Sequence, residues 1–316
     1  MHSIATGIIA APPIPFKEDA SIDWAALENY IAQVAQASPR AIAMNMAASE
    51  VSSLELDEQL EVVRRCRSVI DGACLLLSGV NATHTAGARD LARRLVDAGA
   101  DGVVPFPPLP AFTAPLPVDM VEGYHRAIAD AVDVPMILFQ TFATQYPKGT
   151  ILSLSKIPTV VAIKDASFNV DNTVSNIREA QCADRRIGVL TGSDTFVLEA
   201  MLMGCDGALI GLAGTATTEL VRMQDLARRK RIEEAYEIWL RIGPMARLCW
   251  RPPLRDFRVR LKYLLTRQGL FPNARMRAPF PPIDEKDRQE IDQCFEETGF
   301  SDARFLPAGR IVHASR

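Results

Sequence analysis

Histidine and paired cysteine are scarce in this chain, and their scarcity removes several chemistries at once. Four histidines and six cysteines are spread over 316 residues. Cys66, Cys74, Cys182, Cys205, Cys249 and Cys294 form no C-x-x-C pair and have no pair of histidines nearby, so neither a metal site nor a disulfide framework is readable. Free thiols in a reducing cytosol are the expectation. A net charge of −3 leaves no basic excess for nucleic acid or for an anionic membrane surface. No apolar run approaches the ~20 residues of a membrane span, and no basic stretch precedes an apolar one at the start, as in a secretion signal. The class left standing is a soluble, cytoplasmic protein that handles a small molecule.

What is present is alternation. Residues are 48% apolar, enough for a sizeable core. Short apolar runs recur at 7–11, 41–46, 74–79, 102–106, 134–140, 160–164, 187–191 and 207–211. Between them lie stretches of helical period, such as Trp24, Leu27, Ile31 and Val34, or Leu91, Leu95 and Ala98 ahead of Gly99. Eight strand-then-helix units predict an α/β fold, a (β/α)8 TIM barrel over residues 1–225. A doubly wound sheet is the rival, but no G-x-G-x-x-G follows the first run. Beyond the barrel, 232–242 and 254–268 read as helices, and a proline-rich connector at 279–282 leads to a polar helix at 284–297. Residues 226–300 are therefore expected to form a small C-terminal helical region, with 301–316 a polar tail. The basic run 228–231, followed by Glu233 and Glu234, reads as a solvated helix face.

The sixth run, Val160-Val161-Ala162-Ile163-Lys164, ends in a lysine. At the C-terminal end of a barrel strand an amine is placed to attack a carbonyl, and apolar walls lower its pKa. A lysine closing a strand is also an ordinary first loop residue, so the run alone is a weak motif.

Several segments, in order, give it weight. Gly7-Ile8-Ile9-Ala10 with Ile14-Pro15-Phe16, Ser49-Glu50 with Ser53-Leu54, Val134-Pro135-Met136-Ile137-Leu138 and Val161-Ala162-Ile163-Lys164-Asp165-Ala166 are followed by Thr191-Gly192-Ser193-Asp194 and Gly204-Cys205-Asp206-Gly207-Ala208. Leu261-Lys262-Tyr263-Leu264 and Arg277-Ala278-Pro279-Phe280-Pro281-Pro282 complete the set. Together they resemble the family of dihydrodipicolinate synthase and N-acetylneuraminate lyase, Schiff-base enzymes of pyruvate and other 2-oxo acids, nearly to Gly299. The resemblance implies a TIM barrel, no cofactor and a homo-oligomer, dimer or tetramer. It makes Lys164 the imine-forming residue and places Ala47, Ala48, Ser49, Glu50, Thr141, Gly192 and Ile210 around the substrate.

Departures from the family pattern are as informative. Ala47 and Ala48 stand where the family has two threonines, and Phe139 stands at its catalytic tyrosine. The tyrosine lent across the dimer falls at Phe106 or Pro107, and the arginine after strand five is replaced by Ala143-Thr144-Gln145. Four hydroxyls of one proton relay are gone together. Backbone N–H groups at Ala47 and Ala48 could still hold a carboxylate. For proton transfer the candidates are Glu50, Ser49, Thr141, Thr144 and His84. Each has a plainer reading: Glu50 accepting backbone N–H bonds in its own loop, the threonines as loop residues, His84 beside a helix cap made by Asn81 or Thr83. Asp165, pointing to the other side of its strand, reads as a structural acceptor. Phe106, Pro107, Pro108, Phe112, Phe139 and Phe142 would make the barrel mouth apolar. The expected activity is a lyase, aldolase or dehydratase, on a pyruvate-related 2-oxo acid, and not dihydrodipicolinate synthesis itself. A 2-oxo-acid-binding protein or regulator that lost the chemistry is the alternative.

Overall fold

The computed structural model describes residues 2–108 and 116–300, so Phe112 and the 301–316 tail lie outside the described residues. Eight parallel strands close into one barrel in sequence order. They are β1 Gly7–Ala10, β2 Ala41–Met44, β3 Leu75–Val80, β4 Gly102–Pro105, β5 Met136–Thr141, β6 Val160–Ala166, β7 Gly188–Thr191 and β8 Gly207–Ile210. All eight apolar runs read from the sequence are strands, with ends displaced by a residue or two. Around them lie α1 Trp24–Gln36, α2 Leu56–Ile70, α3 Thr85–Asp97, α4 Val118–Ala129, α5 Thr150–Leu154, α6 Val170–Cys182, α7 Val197–Met203 and α8 Thr217–Arg228.

Strands of a parallel barrel are covered on both faces, which is why they read as continuous apolar runs. Successive side chains divide between two cores. Ile9, Ala41, Ala43, Leu77, Val104, Ile137, Ala162 and Leu209 fill the interior. Their neighbours Ile8, Ile42, Leu76, Val103, Leu138, Ile163 and Ala208 pack against the helices. The 3-10 turn His2–Ala5 closes the bottom: Ile4 joins the inner cluster, and a Cβ on Gly188 would lie 2.0 Å from the Ala5 carbonyl oxygen. The same alternation sends Lys164 inward with Ala162, and Asp165 outward with Ile163. In register, Lys164 faces Phe139 on β5 and Leu190 on β7.

The C-terminal helices are α9 Ile232–Cys249, α10 Phe257–Arg267 and α11 Glu285–Glu297. Trp239, Ile242, Leu261, Leu264 and Ile291 belong to the same apolar cluster as the outer face of the barrel, so these helices extend the barrel core instead of building their own. Arg260 is buried, donating to the Cys249 and Arg251 carbonyls and to Asp287, and thereby ties the end of α9 to α10 and α11. Three sequence expectations shift here. The helix expected at 232–242 continues through Pro244 to Cys249. α8 runs to Arg228, past residue 225. The basic run is the exposed turn joining α8 to α9, with Arg229 on Asp225 and Arg231 on Glu234, because Lys230 takes a left-handed φ of 61° that ends the helix. Among the described residues no helix is long and apolar enough to cross a membrane.

Candidate active site

β6 delivers Lys164 to the C-terminal end of the barrel, where the βα loops of this fold converge. A cavity of about 130 Å³ opens there. Its walls are Ala47 and Ala48 after β2, Phe139 and Thr141 of β5, Lys164 and Ala166 of β6, Gly192 and Asp194 after β7, and Ile210 of β8. Phe142 and Phe168 line it too, and the C-terminal region adds Trp250, Leu254 and Phe257.

Lys164 is 7% exposed. Its Nζ lies 4.3 Å from the centroid of the Phe139 ring, which in turn meets Phe106 edge-on at 5.2 Å. Burial lowers the lysine pKa to about 8, and the charge of Asp194 pulls the other way. Asp194 is itself buried, with Leu212 N–H donating to its Oδ1 at 2.8 Å. Burial raises its pKa to about 7, against the Leu212 N–H and the lysine charge. No contact ion pair joins the two groups. Gly192 is required by the close approach of β7 to this lysine: a Cβ there would lie 2.8 Å from Lys164 Cε.

The β2 loop is held from outside the barrel. Arg258 Nε donates to the Ala47 carbonyl at 2.7 Å, with its guanidinium 5.1 Å from the rings of both Phe257 and Phe280. Arg277 donates to the Ser53 and Ala20 carbonyls and to both carboxylate oxygens of Glu58. Glu50 has a left-handed φ of 55° and forms a fully buried ion pair with Lys262. Lys262 Nζ also donates to the Arg275 carbonyl at 2.7 Å and sits 4.0 Å above the Phe16 ring.

The structure thus brings Lys164, Phe139, Ala47, Ala48, Thr141, Gly192 and Ile210 to one cavity, and leaves Ser49 and Glu50 behind its wall. Glu50 does not accept backbone N–H bonds in its loop as expected; its carboxylate is taken by Lys262. Ser49 spends its hydroxyl on the Pro12 carbonyl at 2.8 Å. Thr141 and Thr144 place their hydroxyls 2.8 Å apart, with Thr144 behind Thr141. His84 lies away from the cavity and is itself the N-cap of α3, its Nδ1 accepting the Gly87 N–H at 3.0 Å in place of an Asn81 or Thr83 cap. Asp165 is an outward structural acceptor, taking the Thr173 hydroxyl at 2.7 Å and the Ser167 N–H at 3.1 Å. Phe142 is 63% exposed, while Pro107 and Pro108 do not line the cavity.

Sequence reasoning gave no site role to Asp194, Trp250, Leu254 or Phe257. Asp194 was legible by position, as the first acid past the end of β7. The other three come from outside the barrel, and no local pattern marks them. No group of three or more histidine, cysteine or acidic side chains able to hold a metal occurs among the described residues.

Comparison with known proteins agrees with this architecture. A profile of the dihydrodipicolinate synthetase family matches residues 4–298. A 4-hydroxy-tetrahydrodipicolinate synthase of Pelodictyon phaeoclathratiforme is 28% identical over 298 residues, covering 93% of this chain and 97% of that one. An uncharacterized DapA-like lyase of Thermofilum pendens is 27% identical over 297 residues, with coverages of 93% and 97%. The Acinetobacter baumannii dihydrodipicolinate synthase, crystallised with pyruvate, superposes with a TM-score of 0.84 at 23% identity, covering 94% of this chain and 99% of its own. The chain belongs to the dihydrodipicolinate synthetase family.

Proposed function

We propose that this protein is a cofactor-independent, Schiff-base-forming lyase acting on a 2-oxo acid, and that it is not a dihydrodipicolinate synthase. The observation that carries the reading is Lys164: a buried amine at the C-terminal end of a barrel strand, with a lowered pKa and no contact ion pair. A neutral amine there attacks the C2 carbonyl, and the protonated imine then draws electrons from the C3–C4 bond in an aldol cleavage or assists loss of a hydroxyl in a dehydration. Backbone N–H groups at Ala47 and Ala48 would hold the carboxylate that all 2-oxo acids share, pyruvate included. Lys164 and Asp194 are the only charged side chains on the cavity wall among the described residues, and Phe139, Phe142, Phe168, Trp250 and Phe257 supply aromatic surface. That lining favours a substrate whose distal part is apolar or aromatic over a dicarboxylate or a sugar acid. A cytoplasmic homo-oligomer, dimer or tetramer, is the assembly we assign by analogy with the family.

The test is borohydride trapping with pyruvate and a panel of 2-oxo acids, followed by intact mass and peptide mapping. A covalent adduct on Lys164 that Lys164→Ala lacks is the expected result. The second reading, a 2-oxo-acid-binding protein, is favoured by Ala47, Ala48 and Phe139, which offer no hydroxyl to move a proton. It predicts a raised melting temperature with the acid present, no adduct and no consumption.

A further inference from the structure

Imine chemistry needs a group that gives and takes protons, and the hydroxyls of the family relay are absent from this chain. The inference rests on the Schiff-base reading above. We propose that Asp194 is the catalytic acid–base group of this site, passing a single proton between itself, Lys164 and the substrate.

Elimination and geometry converge on it. Along the cavity wall, the residue after β1 is Ala11, the β2 loop contributes Met46, Ala47 and Ala48, β5 Phe139 and Thr141, β8 Ile210, and the C-terminal region Trp250, Leu254 and Phe257. None of these titrates in the working range. Asp194 is the one wall residue besides Lys164 that does, among the described residues. It stands on the loop after β7, the strand paired with the lysine strand, and that loop presses on the lysine side chain through Gly192. The charged groups that face Lys164 reduce to Asp194, and those that face Asp194 to Lys164, with the buried Cys249 thiol of α9 behind it, kept protonated by its own burial. Leu212 N–H fixes the carboxyl by one oxygen.

The chemistry balances with one proton. The pair holds one proton, which rests mainly on Lys164, with a pKa of about 8 against about 7 for Asp194. Because neither charge is well solvated, its transfer to Asp194 costs little and gives the free amine and carboxylic acid that react. The amine lone pair forms the C–N bond at C2 while the carbonyl π pair moves to oxygen. Asp194 gives up its proton, the nitrogen proton passes to the departing oxygen, and water leaves; ketone, amine and acid become iminium, carboxylate and water. The carboxylate then takes a proton from C3, the C–H pair becomes the C2=C3 bond and the iminium π pair returns to nitrogen, giving the enamine and restoring the acid. No oxidant, metal or second protein group enters.

The test measures exchange of the C3 hydrogens of pyruvate for deuterium in D2O by NMR, beside borohydride trapping, on the full chain. Asp194→Asn keeps an oxygen for the Leu212 N–H and should stay folded. The expected result is an equilibrium adduct on Lys164 in both proteins, with exchange slower by ~10²-fold or more in the variant. The wild-type exchange rate should be bell-shaped in pH, falling when the pair gains a second proton or loses its only one. In Asp194→Asn the residual rate should rise with pH to a plateau as the lysine alone deprotonates. Exchange in the variant within about threefold of wild type, or a wild type that is trapped without exchanging C3 hydrogens, overturns the assignment. Absence of any wild-type adduct instead removes the Schiff-base reading beneath it.

Discussion

Two lysines are buried beside the β2 loop and treated in opposite ways. Lys262 is in contact with Glu50, donates to the Arg275 carbonyl and lies on the Phe16 ring. Lys164 has an aromatic face beneath it and makes no contact ion pair. Burial lowers both to about 8, so depth does not separate them. Satisfaction does. An ion pair whose remaining donors are used holds a loop in place, and its strength lies in what would be left unpaired if one member went. A buried amine left without a contact partner is available to react. The first lysine holds the loop behind the cavity wall, and the second faces into the cavity with no contact ion pair.

The largest effect should come from giving the two the same substitution. Lys262→Met leaves the buried Glu50 carboxylate without its contact partner, with only the more distant charges of Arg258 and Arg277 to oppose it, and urea unfolding should show a loss of about 3–5 kcal/mol. Lys164→Met removes a cation with no contact ion pair and should leave stability within about 1 kcal/mol of wild type, or raise it, while abolishing the trapped adduct. Adding Glu50→Leu to Lys262→Met should recover much of the loss, since no charge is then buried alone. If Lys164→Met unfolds as readily as Lys262→Met, the distinction between a holding lysine and a reacting one fails.

Alkaline titration gives a smaller effect and a sharper one. A lysine whose folded pKa is about 8 and whose ordinary value is 10.5 binds fewer protons folded than unfolded between those limits. Stability therefore climbs with pH across that window, by at most about 1.4 kcal/mol per pH unit for each lysine. Lys164→Met should remove one of the two contributions and leave that of Lys262. Asp194 has the opposite sign. Its pKa is raised from 3.8 to about 7, so its folded form holds the extra proton and stability falls as pH rises through that range. Asp194→Asn should flatten that fall, read as unfolding free energy against pH in the two proteins.

How far the sequence carried this comparison depends on where each partner lies. Lys164 was legible because strand alternation and a strand end are local: an inward position two residues past Ala162 can only reach the cavity. Asp165 was legible by the same rule in reverse. Glu50 was assigned a partner inside its own loop, and the partner it has lies on α10, far along the chain. Lys262 stood in a run read only as part of a helical tail, where a lysine suggests solvent. Nothing local distinguishes a solvated lysine from one that closes over a carboxylate of another element. The same limit hid Trp250 and Phe257, which stack at 5.3 Å over a mouth built by other residues. His84 was missed as a cap for a different reason: a ring nitrogen accepts an N–H as an Asn or Thr oxygen does, but it is the less frequent choice.

The smallest effect concerns the ring surface under Lys164. A ring face 4.3 Å from Nζ stabilises the ammonium form, by ~0.5–2 kcal/mol for such contacts. Phe139 thus opposes the desolvation that lowers the Lys164 pKa. Phe139→Leu keeps the site dry and removes the face, so the lysine pKa should fall further, by about 0.4 to 1.5. The midpoint of the pH dependence of borohydride trapping reads this directly. Phe139→Tyr keeps the face and adds a hydroxyl, so it should leave the midpoint in place while altering the rate of C3 exchange. A midpoint that moves upward in Phe139→Leu would mean that water reaches the amine once the ring is gone. Phe139 would then be the stopper that keeps Lys164 unsolvated, and the contrast with Lys262 would rest on solvent access instead of on the missing contact.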